Sequence, residues 1–79
     1  MTFGQYIKGK RIAKGVLLRD VVIALDLDVS YWSGVERSVK KIKEGDKLKV
    51  IDYFGIETIS DLGEFYHWAN QPIKKKITS

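Results

Sequence analysis

DVVIALDLDVSYWSGVERS, residues 20–38, holds two apolar segments divided by the run LDLD at 25–28. A helix from about Leu17 to Leu25 would end there in a sharp turn. Asp28 then has the side chain that caps a new helix, because its carboxylate can accept a backbone N–H of the first turn. In that second helix, Asp28–Arg37, Trp32 and Val35 lie three apart and face inward together. Val29, Ser30, Tyr31, Ser33 and Gly34 are left for its outer side. Two short helices across a tight turn make a unit that needs further helices to bury its apolar side.

The flanking sequence supplies them. Thr2 followed by Gln5 has capping-box spacing. The first helix they open carries Phe3, Ile7, Tyr6 and Ala13 as its apolar stripe, and Gly15 stops it. After residue 38, SVKKIKEG reads as a connecting loop. A fourth helix over Glu44–Phe54 turns Leu48, Ile51 and Phe54 inward and closes at Gly55. Ser60 or Thr58 caps a fifth helix holding Leu62, Phe65, Trp68 and Ala69, which Pro72 ends. No alternating strand pattern of useful length and no internal repeat occur. The expected fold is all-α with five helices, residues 1–71 forming one domain and 72–79 a flexible basic tail.

Composition narrows the function. Seventy-nine residues make one small domain, and with no cysteine the apolar core must suffice without disulfides or thiolate metal sites. No run approaches the roughly 20 apolar residues of a membrane span. The N-terminus lacks a signal-peptide pattern, so a cytoplasmic protein is expected. The net charge is +4 and the pI about 9.4, which favours polyanionic partners. Lys8, Lys10, Arg11 and Lys14 crowd the first helix; Lys40, Lys41, Lys43, Lys47 and Lys49 follow the quoted stretch; Lys74, Lys75 and Lys76 lie in the tail. Such clusters flanking one helix suit a surface that meets phosphates. Enzyme chemistry is not expected. No Gly-rich phosphate loop, metal-ligand spacing or nucleophile–His–carboxylate set occurs, so neither metal nor cofactor is implied. The lone His67 and the pair Asp26 and Asp28 are better explained by a helix surface, a turn and a cap.

From Thr2 to Ile56 the register resembles the Cro/repressor-type helix-turn-helix family, also called XRE. Arg11 falls on that family's first-helix arginine, DVVIALDLDVSYWSGVERS covers its helix-turn-helix, and Ser33 with Glu36 matches its S-x-x-E signature. LGEFYHWANQP resembles the fifth helix of short phage- and plasmid-type members. The resemblance implies a five-helix, lambda-repressor-like DNA-binding domain in which Arg11 and Glu36 pair bidentately and fix the third helix. It also implies base contacts from Val29, Ser30, Tyr31, Ser33 and Gly34. Phosphate contacts fall to Arg37, Lys40, Lys41 and Lys43, with Lys10 and Lys14 in support. Phe54, Phe65, Tyr66 and Trp68 become candidates for a homodimer interface. The chain departs from the family pattern at Leu17, where a capping Ser or Thr is usual, and at Leu18, Val22 and Ser38. Asp26 stands in for the turn glycine, a change Asp tolerates because it visits the left-handed region more readily than most residues.

Bidentate readout of guanine needs Arg or Lys, and of adenine Asn or Gln; none occurs among the five base-facing positions. Two functions therefore stand at this point. One is a DNA-binding transcriptional regulator, a repressor, acting as a homodimer on double-stranded DNA. The other is a protein-interaction module on a degenerate helix-turn-helix scaffold, an antitoxin component or phage-type modulator. Leu17, Leu18, Tyr31 and Gly34 motivate the second, since they give an apolar surface poor in side chains.

Overall fold

The computed structural model describes residues 1–73; the tail expected from residue 72 lies, beyond Ile73, outside the described residues. Within them the chain forms five helices and no strand: α1 Phe3–Lys14, α2 Leu18–Leu25, α3 Val29–Glu36, α4 Glu44–Phe54 and α5 Ile59–Ala69.

Each boundary has a local cause. Thr2 Oγ1 accepts the Gln5 N–H at 3.2 Å while Gln5 Oε1 accepts the Thr2 N–H at 2.9 Å, the reciprocal pair of a capping box. Gly15 at φ 77° and Gly55 at φ 65° end α1 and α4 in the left-handed region. Asp26 ends α2 with φ 54°, and the Leu27 N–H donates back to the Val22 carbonyl at 2.9 Å. Leu17 cannot cap α2 with its side chain. Asp20 reaches back instead, accepting the Leu17 N–H at 2.8 Å, which satisfies one backbone donor at that end. Asp28 Oδ2 accepts the Tyr31 N–H at 2.9 Å and starts α3; Thr58, rather than Ser60, caps α5 by accepting the Asp61 N–H at 3.0 Å.

The core joins all five helices. Ile7, Val21, Trp32, Val50 and Phe65 have no exposed surface, and Val35 is 1% exposed. Phe65 meets Phe3 edge-on, ring centroids 5.4 Å apart, which seats α5 on α1. α3 packs against both α1 and α2. The α1–α3 approach depends on Gly4. A Cβ there would fall 2.6 Å from the Val35 carbonyl oxygen and nearer still to the Glu36 carbonyl and Ser38 Oγ. Ser38, at φ 62°, turns the chain and donates from Oγ to Thr2 Oγ1 at 2.6 Å, tying the end of α3 to the start of α1.

Two inward assignments need correction. Leu48 is 70% exposed, and Val50 takes the buried place on α4, because the groove between α1 and α2 receives that side of the helix. Ala13 is exposed on α1. Ile51 and Phe54 do pack half-buried against the core, the Phe54 ring edge-on to Tyr53 with centroids 5.0 Å apart. No helix among the described residues is long and apolar enough to cross a membrane.

Candidate nucleic-acid interface

The hold on α3 begins with Glu36, which is buried near the helix end. Glu36 Oε2 accepts from Arg11 Nε at 2.8 Å and from the Trp32 indole Nε1 at 2.7 Å. Arg11 Nη1 donates to the Val16 carbonyl at 3.0 Å. The ion pair is thus single-contact rather than bidentate, because the guanidinium is shared with the backbone after α1. One carboxylate oxygen gathers a cation from α1 and an indole from α3. Since the side chains of Arg11 and Glu36 are only 13% and 4% exposed, the junction lies largely out of water and fixes the rotation of α3 about its axis. The indole bond is readable in principle from the i, i+4 spacing of Trp32 and Glu36. The inward pairing of Trp32 with Val35 marks only its packing role.

With that orientation set, Val29 is 54% exposed, Ser30 is exposed and Ser33 is half-exposed. Eight residues give α3 a length of about 12 Å, comparable with the width of a DNA major groove. Two of the five outward positions differ from expectation. Gly34 is buried: a Cβ there would lie 2.8 Å from Lys40 Cγ and Cδ, so the lysine stem covers it. The loop also folds back on the Gly34 carbonyl, which accepts the Val39 and Lys40 N–H groups at 2.9 and 3.2 Å. Gly34 is therefore a crossing point for the loop and presents no bare backbone outward.

Tyr31 is half-buried, and its hydroxyl oxygen accepts the Lys43 N–H at 2.9 Å. Burial, above all, pushes its phenol up to about 12; the Asp46 carboxylate adds to the rise and the Lys43 backbone bond opposes it. The Lys43 ammonium sits 5.0 Å from the ring centroid. Tyr31 pins the start of α4 to α3, which leaves its hydroxyl less free for an outside partner.

The same contacts bring the loop cations to the flank of α3. Arg37 ends the helix, Lys40 lies across Gly34 and Lys43 across Tyr31; Lys41 lies between them in sequence, and all four are exposed. Lys10 and Lys14 are engaged elsewhere. Their ammonium groups lie 5.5 Å from the Tyr6 ring and 5.0 Å from the Tyr53 ring, neither on α3 nor in the loop after it. Lys47 leaves the basic surface altogether. It is 3% exposed and donates to Glu44 Oε1 at 2.7 Å and Asn70 Oδ1 at 2.9 Å, linking α4 to the end of α5.

Of the four aromatic residues suggested for an interface between copies, Phe65 is unavailable because it is wholly buried against Phe3 and Tyr6. Tyr66 is 37% exposed, and Trp68 and Phe54 are half-buried. Comparison with protein families, characterised proteins and solved structures finds no match to this chain.

Proposed function

We propose that this chain is a DNA-binding transcriptional regulator of the Cro/repressor type, a repressor that lays α3 in the major groove and acts as a homodimer. The observation that carries the reading is the Arg11–Glu36–Trp32 junction. It holds α3 with Val29 and Ser30 exposed at its start, and Arg37, Lys40, Lys41 and Lys43, at its end and in the loop that follows, are exposed as well. Phosphate contacts from the four cations supply affinity. Val29 suits a thymine methyl, and Ser30 and Ser33 offer short hydrogen bonds. With Gly34 covered and the Tyr31 hydroxyl engaged, direct readout is narrow, and selectivity leans on DNA shape and bridging water.

Filter binding of duplex DNA across a salt series tests this reading. Binding that weakens linearly with the logarithm of salt is expected, and selection from random duplexes should yield a consensus. Absence of duplex binding at low salt would end it.

A second reading is an interaction module on the same scaffold; of the apolar surface expected for it, Gly34 is buried and Leu18 and Tyr31 are half-buried, while Leu17 stays exposed. Exposed Leu17 and Ile23 on and before α2, 56% and 76% exposed, give such a module apolar surface. Affinity capture with the wild type and with Leu17→Asp and Ile23→Asp variants discriminates it. A protein partner retained by the wild type and lost by both variants supports it, whereas equal recovery by all three counts against it.

A further inference from the structure

A cavity of about 600 Å³ opens where the start of α1, the α3–α4 loop and the end of α5 meet. That volume falls within the roughly 300–1,000 Å³ of small-molecule sites. Phe3, Val35, Ile42 and Trp68 give it apolar walls. Arg37, Lys40 and Lys41 also line it, and no Asp or Glu does among the described residues. Those three cations are exposed and make no ion pair among the described residues. The Ser38 hydroxyl in the wall already donates to Thr2 and the Gln71 amide nitrogen to the His67 carbonyl, so the charged groups are the main polar feature left for an occupant.

Apolar walls beneath cations of a single sign fit one kind of molecule. We propose that this cavity binds an apolar anion, a carboxylate or sulfonate on an acyl or fused-aromatic body, and that its binding opposes that of DNA. The apolar body leaves water against Phe3, Ile42 and Trp68. The head group meets Arg37 and Lys41 in charge-assisted hydrogen bonds and relieves the repulsion among like charges. Opposition to DNA rests on the proposed function, because Arg37, Lys40 and Lys41 are the cations assigned there to phosphates. A ligand that engages them weakens DNA binding, and by linkage DNA weakens the ligand's binding by the same factor.

Titration calorimetry of the full chain with decanoate, and in parallel with decyltrimethylammonium, all below micelle-forming concentrations, tests the cavity. Saturable decanoate binding is expected, with the cationic probe weaker by about tenfold or more. The double variant Arg37→Glu/Lys41→Glu alters only exposed groups and should lose decanoate by at least a similar factor. Val39→Trp, at an exposed position of the wall, should close the site and abolish binding while the thermal midpoint holds. Absence of saturable binding, equal binding of the two probes, or wild-type decanoate affinity in either variant would overturn the ligand assignment. Fluorescence polarisation of labelled duplex DNA then reads the coupling. Decanoate should release DNA from the wild type and not from Val39→Trp, and equal effects on both would overturn the antagonism. A chain that binds no DNA overturns the proposed function, and with it the antagonism, while the calorimetric result stands by itself.

Discussion

Arg11→Ala removes the guanidinium that donates from Nε to Glu36 Oε2 at 2.8 Å and from Nη1 to the Val16 carbonyl at 3.0 Å. Glu36 then keeps the Trp32 indole as its only partner among the described residues, with its side chain 4% exposed. Breaking a buried ion pair from one side typically costs about 3–5 kcal/mol, because a charge stays behind without compensation. The retained indole bond, and water that reaches the 13% exposed arginine site, reduce that to about 2–4 kcal/mol. A domain of this length has a total stability of about 4–12 kcal/mol, so the variant should be folded but weakened. Its thermal midpoint should fall by about 10–30 °C, at about 4–8 °C per kcal/mol. Urea and thermal denaturation followed by circular dichroism measure both quantities. The diagnostic experiment is the cycle with Glu36→Gln. The amide still accepts the indole N–H and strands no charge, so the double variant should cost about 1–2 kcal/mol less than the two single costs added. A single variant within about 0.5 kcal/mol of wild type, or strictly additive costs, would refute the claim that this junction holds α3.

Gly4→Ala should cost about 2–4 kcal/mol by forcing α1 off the carbonyls of Val35 and Glu36, whereas Gly9→Ala, with open space at its Cβ, should stabilise by up to about 1 kcal/mol; chemical denaturation of the pair separates close approach from helix propensity. Both Tyr6 and Tyr31 are pushed up to about 12, each chiefly by burial, so folded protein holds phenol protons that the unfolded chain releases near pH 10. Stability is therefore unaffected by these groups below about pH 10 and falls as pH rises from there towards about 12, which denaturation at graded alkaline pH will show. Tyr31→Phe should cost about 0.5–1.5 kcal/mol by removing the bond to the Lys43 N–H, and should delete one late phenolate from an ultraviolet titration. Replacing Arg37, Lys40 and Lys41 together by Ala should lower the thermal midpoint only slightly, through loss of the Lys40 stem over Gly34, while lowering the salt slope of DNA binding by about 0.9 for each phosphate no longer neutralised.

The places where helices begin and end were legible from residues alone. The left-handed Asp26 was reached through the family's turn glycine, whereas the Thr2–Gln5 box, the Asp28 cap and the stops at Gly15 and Gly55 each depend on residues within a few positions of the helix end they set. Such choices are local, so a linear reading captures them. Arg11 and Glu36 lie 25 residues apart, and their pairing was reached through resemblance to a family rather than from any local rule. What each exposed or buried surface meets was settled only by packing. α4 offers both Leu48 and Val50, and the groove between α1 and α2 selects Val50. Gly34 has no side chain to mark it as buried, and its cover is the stem of a lysine six positions on, folded back by a loop. Lys47 counts as one more surface charge in composition, yet Asn70, supplied by the far end of α5, draws it inward. Periodicity gives the angle of a residue around its own helix axis. Burial depends on which other element occupies that angle, and this is decided when the five helices close on one another.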